Sequence, residues 1–106
     1  MPITVTAKKP KVLLTAIKTG IIHERIPSWN IVIGDKIVYF TYTEDDWNFK
    51  AFLSYNIVQS GITFHLTGHS DQSPDLHTRG VYYGRFAEML CYHFDGSFIE
   101  IKTCLS

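Results

Sequence analysis

From residue 62 to residue 67 the chain reads Ile62-Thr63-Phe64-His65-Leu66-Thr67, apolar and polar side chains in strict alternation, with a glycine on either side. A period of two places Ile62, Phe64 and Leu66 on one face of an extended strand and Thr63, His65 and Thr67 on the other. Such a strand has to sit in a sheet with one covered face and one face that is at least partly wet.

The neighbouring segments supply partners for it. Gln59-Ser60-Gly61 reads as a turn, which makes residues 49–58 the strand before it. Further upstream, Ile31-Val32-Ile33, then Gly34-Asp35, then residues 36–43 with β-branched and aromatic side chains throughout, form a second hairpin signal. The Gly-Asp order suits a tight turn with Gly34 at its first central position. Residues 98–103 predict a last strand with Ile99 and Ile101 on one side, after a break at Asp95-Gly96.

Two segments carry helical spacing. In residues 82–94, Tyr82, Phe86, Met89, Leu90 and His93 share one face, with Gly84 weakening the first turn. Residues 11–19 are ambiguous: Pro10 suits a first turn, Gly20 a terminator, and Val12, Leu13, Ala16 and Ile17 a helical face. Val12, Leu14 and Ala16 also alternate as a strand would; the balance favours a helix. Residues 68–80, polar and poor in apolar side chains, read as a long loop. The expected architecture is a single α+β domain over residues 1–106, a mainly antiparallel β-sheet with one or two α-helices packed on one face. A chain of this length forms one core without a staple.

Several function classes are excluded at this level. Ten Lys and Arg balance ten Asp and Glu, which argues against a general polyanion binder and so against nucleic acid as the partner. The longest early apolar run, Val12-Leu13-Leu14, is interrupted by Thr15 and Lys18, far short of the roughly 20 residues of a membrane helix. Lys8-Lys9-Pro10-Lys11 ahead of it does not make a secretory signal, because the apolar part is too short and no small-residue cleavage site follows. Cys91 and Cys104 are too few for a disulfide scaffold and read as reduced thiols in a cytoplasmic protein. The glycines are scattered singly, so no phosphate-cradling loop is present, and there is neither a Cys-x-x-Cys pair nor a Gly-x-Ser-x-Gly elbow. No cofactor is expected.

Two places could carry function. The first is Glu44-Asp45-Asp46-Trp47, three acids and a large aromatic between the hairpin and the next strand. Exposed, the acids would steer a basic partner and Trp47 would anchor it; otherwise the acids simply solvate a turn and Trp47 folds back into the core. Residues 1–25 hold five bases, Lys8, Lys9, Lys11, Lys18 and Arg25, against Glu24, and the remainder holds five bases against nine acids, so the neutral total conceals an acidic body. A small, cofactor-free, acidic-faced α+β domain has the profile of inhibitors that plug basic nucleases, including the immunity proteins bacteria make against their own toxins. The expectation is a non-enzymatic protein-binding module that blocks a basic partner through Glu44, Asp45, Asp46 and Trp47.

The second place is the long loop. His69, Asp71, Asp75 and His77, with His65 on the preceding strand, offer the imidazoles and carboxylates that a Zn, Mn or Fe site uses, although their spacing matches no established metal signature. They frame the alternative, a small metal-dependent or histidine-based enzyme, with Ser70 or Ser73 near a possible general base. Elsewhere, Tyr82, Tyr83, Arg85, Phe86 and Tyr92 crowd one helix, where core packing outweighs an interface patch, and His93 is expected to be partly buried. Lys8, Lys9 and Lys11 read as a solvated start, and a homo-oligomer is compatible with either function.

Overall fold

The computed structural model describes residues 3–68 and 73–103, with Asp45 described as backbone only. Its elements run β1 (Ile3–Thr6), α1 (Pro10–Ile22), β2 (Trp29–Ile33), β3 (Val38–Tyr42), β4 (Phe52–Val58), β5 (Gly61–Thr67), α2 (Leu76–His93) and β6 (Glu100–Thr103), with short 3₁₀ turns at Asp45–Trp47 and Asp95–Ser97. The six strands form one sheet in the order β2-β3-β4-β5-β1-β6, every neighbouring pair antiparallel. This is the α+β fold the sequence patterns predict.

The alternation in β5 decides which face is covered. Ile62 and Phe64 are fully buried and His65 is exposed. Register carries the apolar face across the sheet: Ile3 lies opposite Phe64, Val5 opposite Ile62, Leu53 opposite Leu66, and Phe40 opposite Leu53. Both helices lie on this face. Leu13, Leu14, Ile17 and Ile21 of α1 and Tyr82, Tyr83, Phe86, Met89 and Leu90 of α2 join one hydrophobic cluster with it. Phe86 is its centre, with ring centroids 4.6 Å from Phe64, 5.3 Å from Trp29 and 6.3 Å from Phe40. Edge-on and offset ring contacts at these distances add to area burial.

The strand β1 goes beyond the sequence expectation, which assigned no element to residues 3–6; Lys8, Lys9 and Lys11 just after it are exposed. Four residues are too few for their alternation to stand out, yet Ile3 and Val5 are fully buried because β1 is flanked on both sides, by β5 and β6. The helix at residues 11–19 is confirmed but does not stop at Gly20. Instead the chain folds back over that glycine: its carbonyl accepts from the backbone N–H of Arg25 at 2.8 Å and of Ile26 at 3.2 Å, and a Cβ there would stand 2.7 Å from Ile26 Cδ1.

Other boundaries shift for local reasons. The β2–β3 connection is a four-residue turn, closed by Gly34 N–H donating to the Ile37 carbonyl at 2.8 Å, and Lys36 (φ 63°), not Gly34, takes the left-handed conformation. Strand β4 starts at Phe52 because Phe49 is itself left-handed (φ 59°). Gly61 belongs to β5 rather than to the turn. Helix α2 begins two turns earlier than its apolar spacing predicts: the Asp75 carboxylate caps it, accepting from Thr78 N–H at 2.7 Å. The loop before it is correspondingly shorter. His93 is exposed rather than partly buried. Among the described residues, no helix is long and apolar enough to cross a membrane.

Glycines in this fold have opposite sensitivities. A Cβ on Gly61 would lie 1.9 Å from the Val5 carbonyl oxygen, a backbone atom that moves only with the whole β1–β5 ladder. Gly61→Ala is therefore expected to destabilise by about 1–3 kcal/mol or more in urea unfolding, as overpacking does. Gly84 on α2 has nothing within 4 Å of a Cβ. Gly84→Ala should stabilise by about 0.5–1 kcal/mol through helix propensity alone.

Candidate functional site

The acidic group lies on the connection between β3 and β4. These strands pair through Phe40 and Leu53, and continuing that register would set Tyr42 opposite Ala51. The hydroxyl of Tyr82, reaching out from α2, stands at that position instead. It lies 3.3 Å from the Ala51 nitrogen, 3.4 Å from the Tyr42 carbonyl and 3.3 Å from Thr41 Oγ1, and it donates to the carbonyl of Trp47. A phenol has one proton to give. With that proton on Trp47, the oxygen accepts from Ala51 N–H, while Thr41 donates its own proton to the Ala51 carbonyl at 3.0 Å. Tyr82 and Thr41 are both fully buried, so these bonds form away from water.

Further ties hold the loop at its two ends. Trp47 N–H donates to the Glu44 carbonyl at 2.9 Å and Lys50 N–H to the Trp47 carbonyl at 3.1 Å, which winds the 3₁₀ turn. Thr43 N–H donates to the Ser28 carbonyl at 2.8 Å, and the Ser28 hydroxyl donates to the Glu44 carboxylate. The outcome is a short, internally bonded platform with Glu44 and Asp46 exposed. Neither acid belongs to an ion pair among the described residues, where the pairs are Arg85–Glu88 and Lys102–Glu100.

Trp47 takes a position between the two alternatives of the sequence. Half-buried, it packs against the core cluster and meets the His77 ring edge-on at 5.2 Å. The two stretches that the sequence separates are therefore adjacent. His77 lies in the first turn of α2, and Asp75 just before it feels the charges of both His77 and Lys50. The metal alternative fares differently: His69, Asp71 and the nearby Ser70 lie outside the described residues, His65 is exposed on the sheet face away from the helices, and Asp75 is engaged as a helix cap. Among the described residues no group of three His, Cys, Asp or Glu side chains could hold a metal ion.

On the rest of α2, Tyr83 is buried and accepts from Leu66 N–H at 3.0 Å, and burial pushes its phenol pKa up. Arg85 is exposed and pairs with Glu88 at 3.3 Å. Cys91 is an exposed free thiol, and Cys104 lies outside the described residues. Tyr82 and Ser28 were not site candidates in the sequence, where Tyr82 registers as an apolar position on a helical face and as one of the aromatic residues crowding that helix. With the geometry in place, comparison with protein-family models, curated proteins and solved structures finds no match.

Two outcomes follow from this geometry. Tyr82→Phe keeps the ring but leaves the Ala51 N–H without its acceptor and the Trp47 carbonyl with the Lys50 N–H alone, so stability should fall by about 1–3 kcal/mol in chemical denaturation, with the Trp47 environment loosening in fluorescence. Capping by the Thr78 N–H holds the Asp75 carboxyl below its usual value of 3.8. A lowered carboxylate pKa contributes stability that is present above the unfolded-state value and is lost as pH falls through the folded one. Asp75→Asn, which keeps a capping oxygen without a charge, should flatten the fall in thermal midpoint as pH drops below about 4.

Proposed function

We propose that this protein is a non-enzymatic binding module that occludes a basic protein partner, as an inhibitor or immunity-type protein does, with Glu44, Asp45, Asp46 and Trp47 as its contact. The observation that carries this reading is the construction of the loop. Exposed carboxylates of Glu44 and Asp46 sit on a backbone that Tyr82 and Ser28 hold in one conformation. A charged surface that is already ordered loses little conformational freedom on binding, which raises affinity for a given set of contacts. Unpaired surface acids accelerate encounter with a cationic partner and disfavour nucleic acid. Trp47, half-buried with its ring edge on His77, supplies an aromatic anchor that needs little rearrangement. Blockade in this mechanism is steric and electrostatic, and no bond is made or broken.

Affinity capture from the protein's own cell extract in gentle salt tests the reading. The wild type is expected to retain a stoichiometric basic protein, and the triple variant Glu44→Lys, Asp45→Lys, Asp46→Lys to lose it, with association slowed about tenfold or more. Salt should weaken wild-type binding in the same direction. Equal capture by wild type and variant would remove this loop from the contact surface, provided circular dichroism shows the variant folded.

A further inference from the structure

We propose that the open edge of β2 pairs with β2 of a second copy of this chain, giving a two-fold dimer with one continuous sheet. The inference goes beyond the binding function above and does not depend on the acidic loop.

The two edge strands of the sheet are β2 and β6, and they differ in kind. The β6 edge is four residues long and carries Glu100 and Lys102, whose charged ends lie 3.7 Å apart. Short, charged edges resist pairing with other chains. Trp29–Ile33 in β2 holds no charge and no proline, and it ends on Ile33, which is 78% exposed.

Hydrogen bonds fix which backbone groups of β2 face outward. Thr43 N–H bonds to the Ser28 carbonyl and Gly34 N–H to the Ile37 carbonyl, so residues 28, 30, 32 and 34 are the ones turned toward β3. Trp29, Ile31 and Ile33 therefore point their N–H and C=O groups away from the sheet. The Ile31 N–H is met by the side-chain oxygen of its neighbour Asn30 at 2.9 Å, a local cap on an otherwise open edge.

These three residues are symmetric about Ile31, which makes the edge self-complementary. In an antiparallel pairing with Ile31 on the two-fold axis, Ile31 meets the second copy's Ile31 and Trp29 meets its Ile33. All outward N–H and C=O groups of Trp29, Ile31 and Ile33 then find partners. Ile33 comes to lie along a groove of about 470 Å³ beside the strand, lined by Ile21, Ile22, Ile26 and Pro27. Ile22, which is 67% exposed, is covered in the same step. Charge is compatible with this register: the turn carrying Asp35 and Lys36 in one copy faces residues 24–28 of the other, where Glu24 and Arg25 stand. On both sides of the axis one acid and one base of each copy come together, with no excess of either sign. Two five-residue strands extend about 17 Å, a contact at the small end of stable interfaces, below about 1,200 Å². The dimer is accordingly concentration-dependent.

Light scattering and sedimentation of the full chain from micromolar to millimolar concentration test the proposal. The mass of the wild type should double across the range. Ile33→Lys, which places a charge on the contact, and Ile31→Pro, which removes an outward N–H together with the Ile31 side chain packed against the core, should both stay monomeric, whereas Ile99→Lys beside the other edge should dimerise as the wild type does. Asn30→Ala removes the group that competes for the Ile31 N–H and should tighten pairing about fivefold or more. Amide exchange at Trp29 and Ile33 should slow as the dimer forms. A monomer at every concentration overturns the proposal, as does a dimer that Ile33→Lys leaves intact. If circular dichroism finds Ile31→Pro unfolded, Ile33→Lys and Asn30→Ala decide the matter with opposite expected signs.

Discussion

A single buried hydroxyl, that of Tyr82, replaces a rung of the sheet. Where β3 and β4 would continue their ladder, the phenol of α2 enters between Tyr42 and Ala51, accepting from the Ala51 N–H and giving its own proton to the Trp47 carbonyl. Without such a group the opening would leave buried amides and carbonyls unpaired, which proteins rarely tolerate. Because the phenol is there, the chain between the strands can leave the sheet, wind one 3₁₀ turn and present its acids to solvent. The same side chain is part of the aromatic core, its ring 6.1 Å from both Trp29 and Tyr42. Core packing and loop conformation are thus coupled through one residue, and a helix sets the shape of a loop that is distant from it in sequence.

The helices divide the labour. Helix α2 carries the aromatic residues that fill the middle of the sheet and, through its capped N-terminus, brings His77 against Trp47. Helix α1 covers the sheet with aliphatic side chains, and Lys18 reaches down to it, its ammonium 2.6 Å from the Tyr55 hydroxyl and over the same ring. Among the described residues, no helix covers the opposite face of the sheet. There His65 and Asn56 are exposed, and Tyr39 and Phe52 form an edge-on aromatic pair at 6.2 Å.

Patterns local in sequence were legible, and features that depend on tertiary approach were not. The alternation of residues 62–67 told covered face from open face because each side chain there differs in polarity from its neighbours. The helices were readable from apolar spacing, but the N-terminus of α2 was not: the capping carboxylate of Asp75 looked like one more polar loop residue beside His77. Gly20 and Gly61 read as punctuation, since glycine usually marks turns, whereas here each makes room for another piece of backbone or side chain that only the fold brings close. The acidic loop was located correctly as a connection between strands. Its rigidity was not legible, because nothing in a tyrosine on an apolar helical face indicates that its hydroxyl will serve a strand some thirty residues away in sequence.

The position of β1 has a consequence for how the molecule assembles. Ile3 lies opposite Phe64 on one side and Thr103 on the other, so an early segment of the chain is clasped between two segments that follow it much later. Neither pairing can form until long stretches of chain have been brought together, and closing such loops is slow compared with winding α1 or joining the β2–β3 hairpin. During synthesis, Ile3 and Val5 emerge with no sheet to enter and stay exposed while most of the domain is still being made. A strand whose Ile3 and Val5 are fully buried in the finished sheet is in this sense among the last to be housed, and the tight fit of Gly61 against Val5 is the seat that receives it.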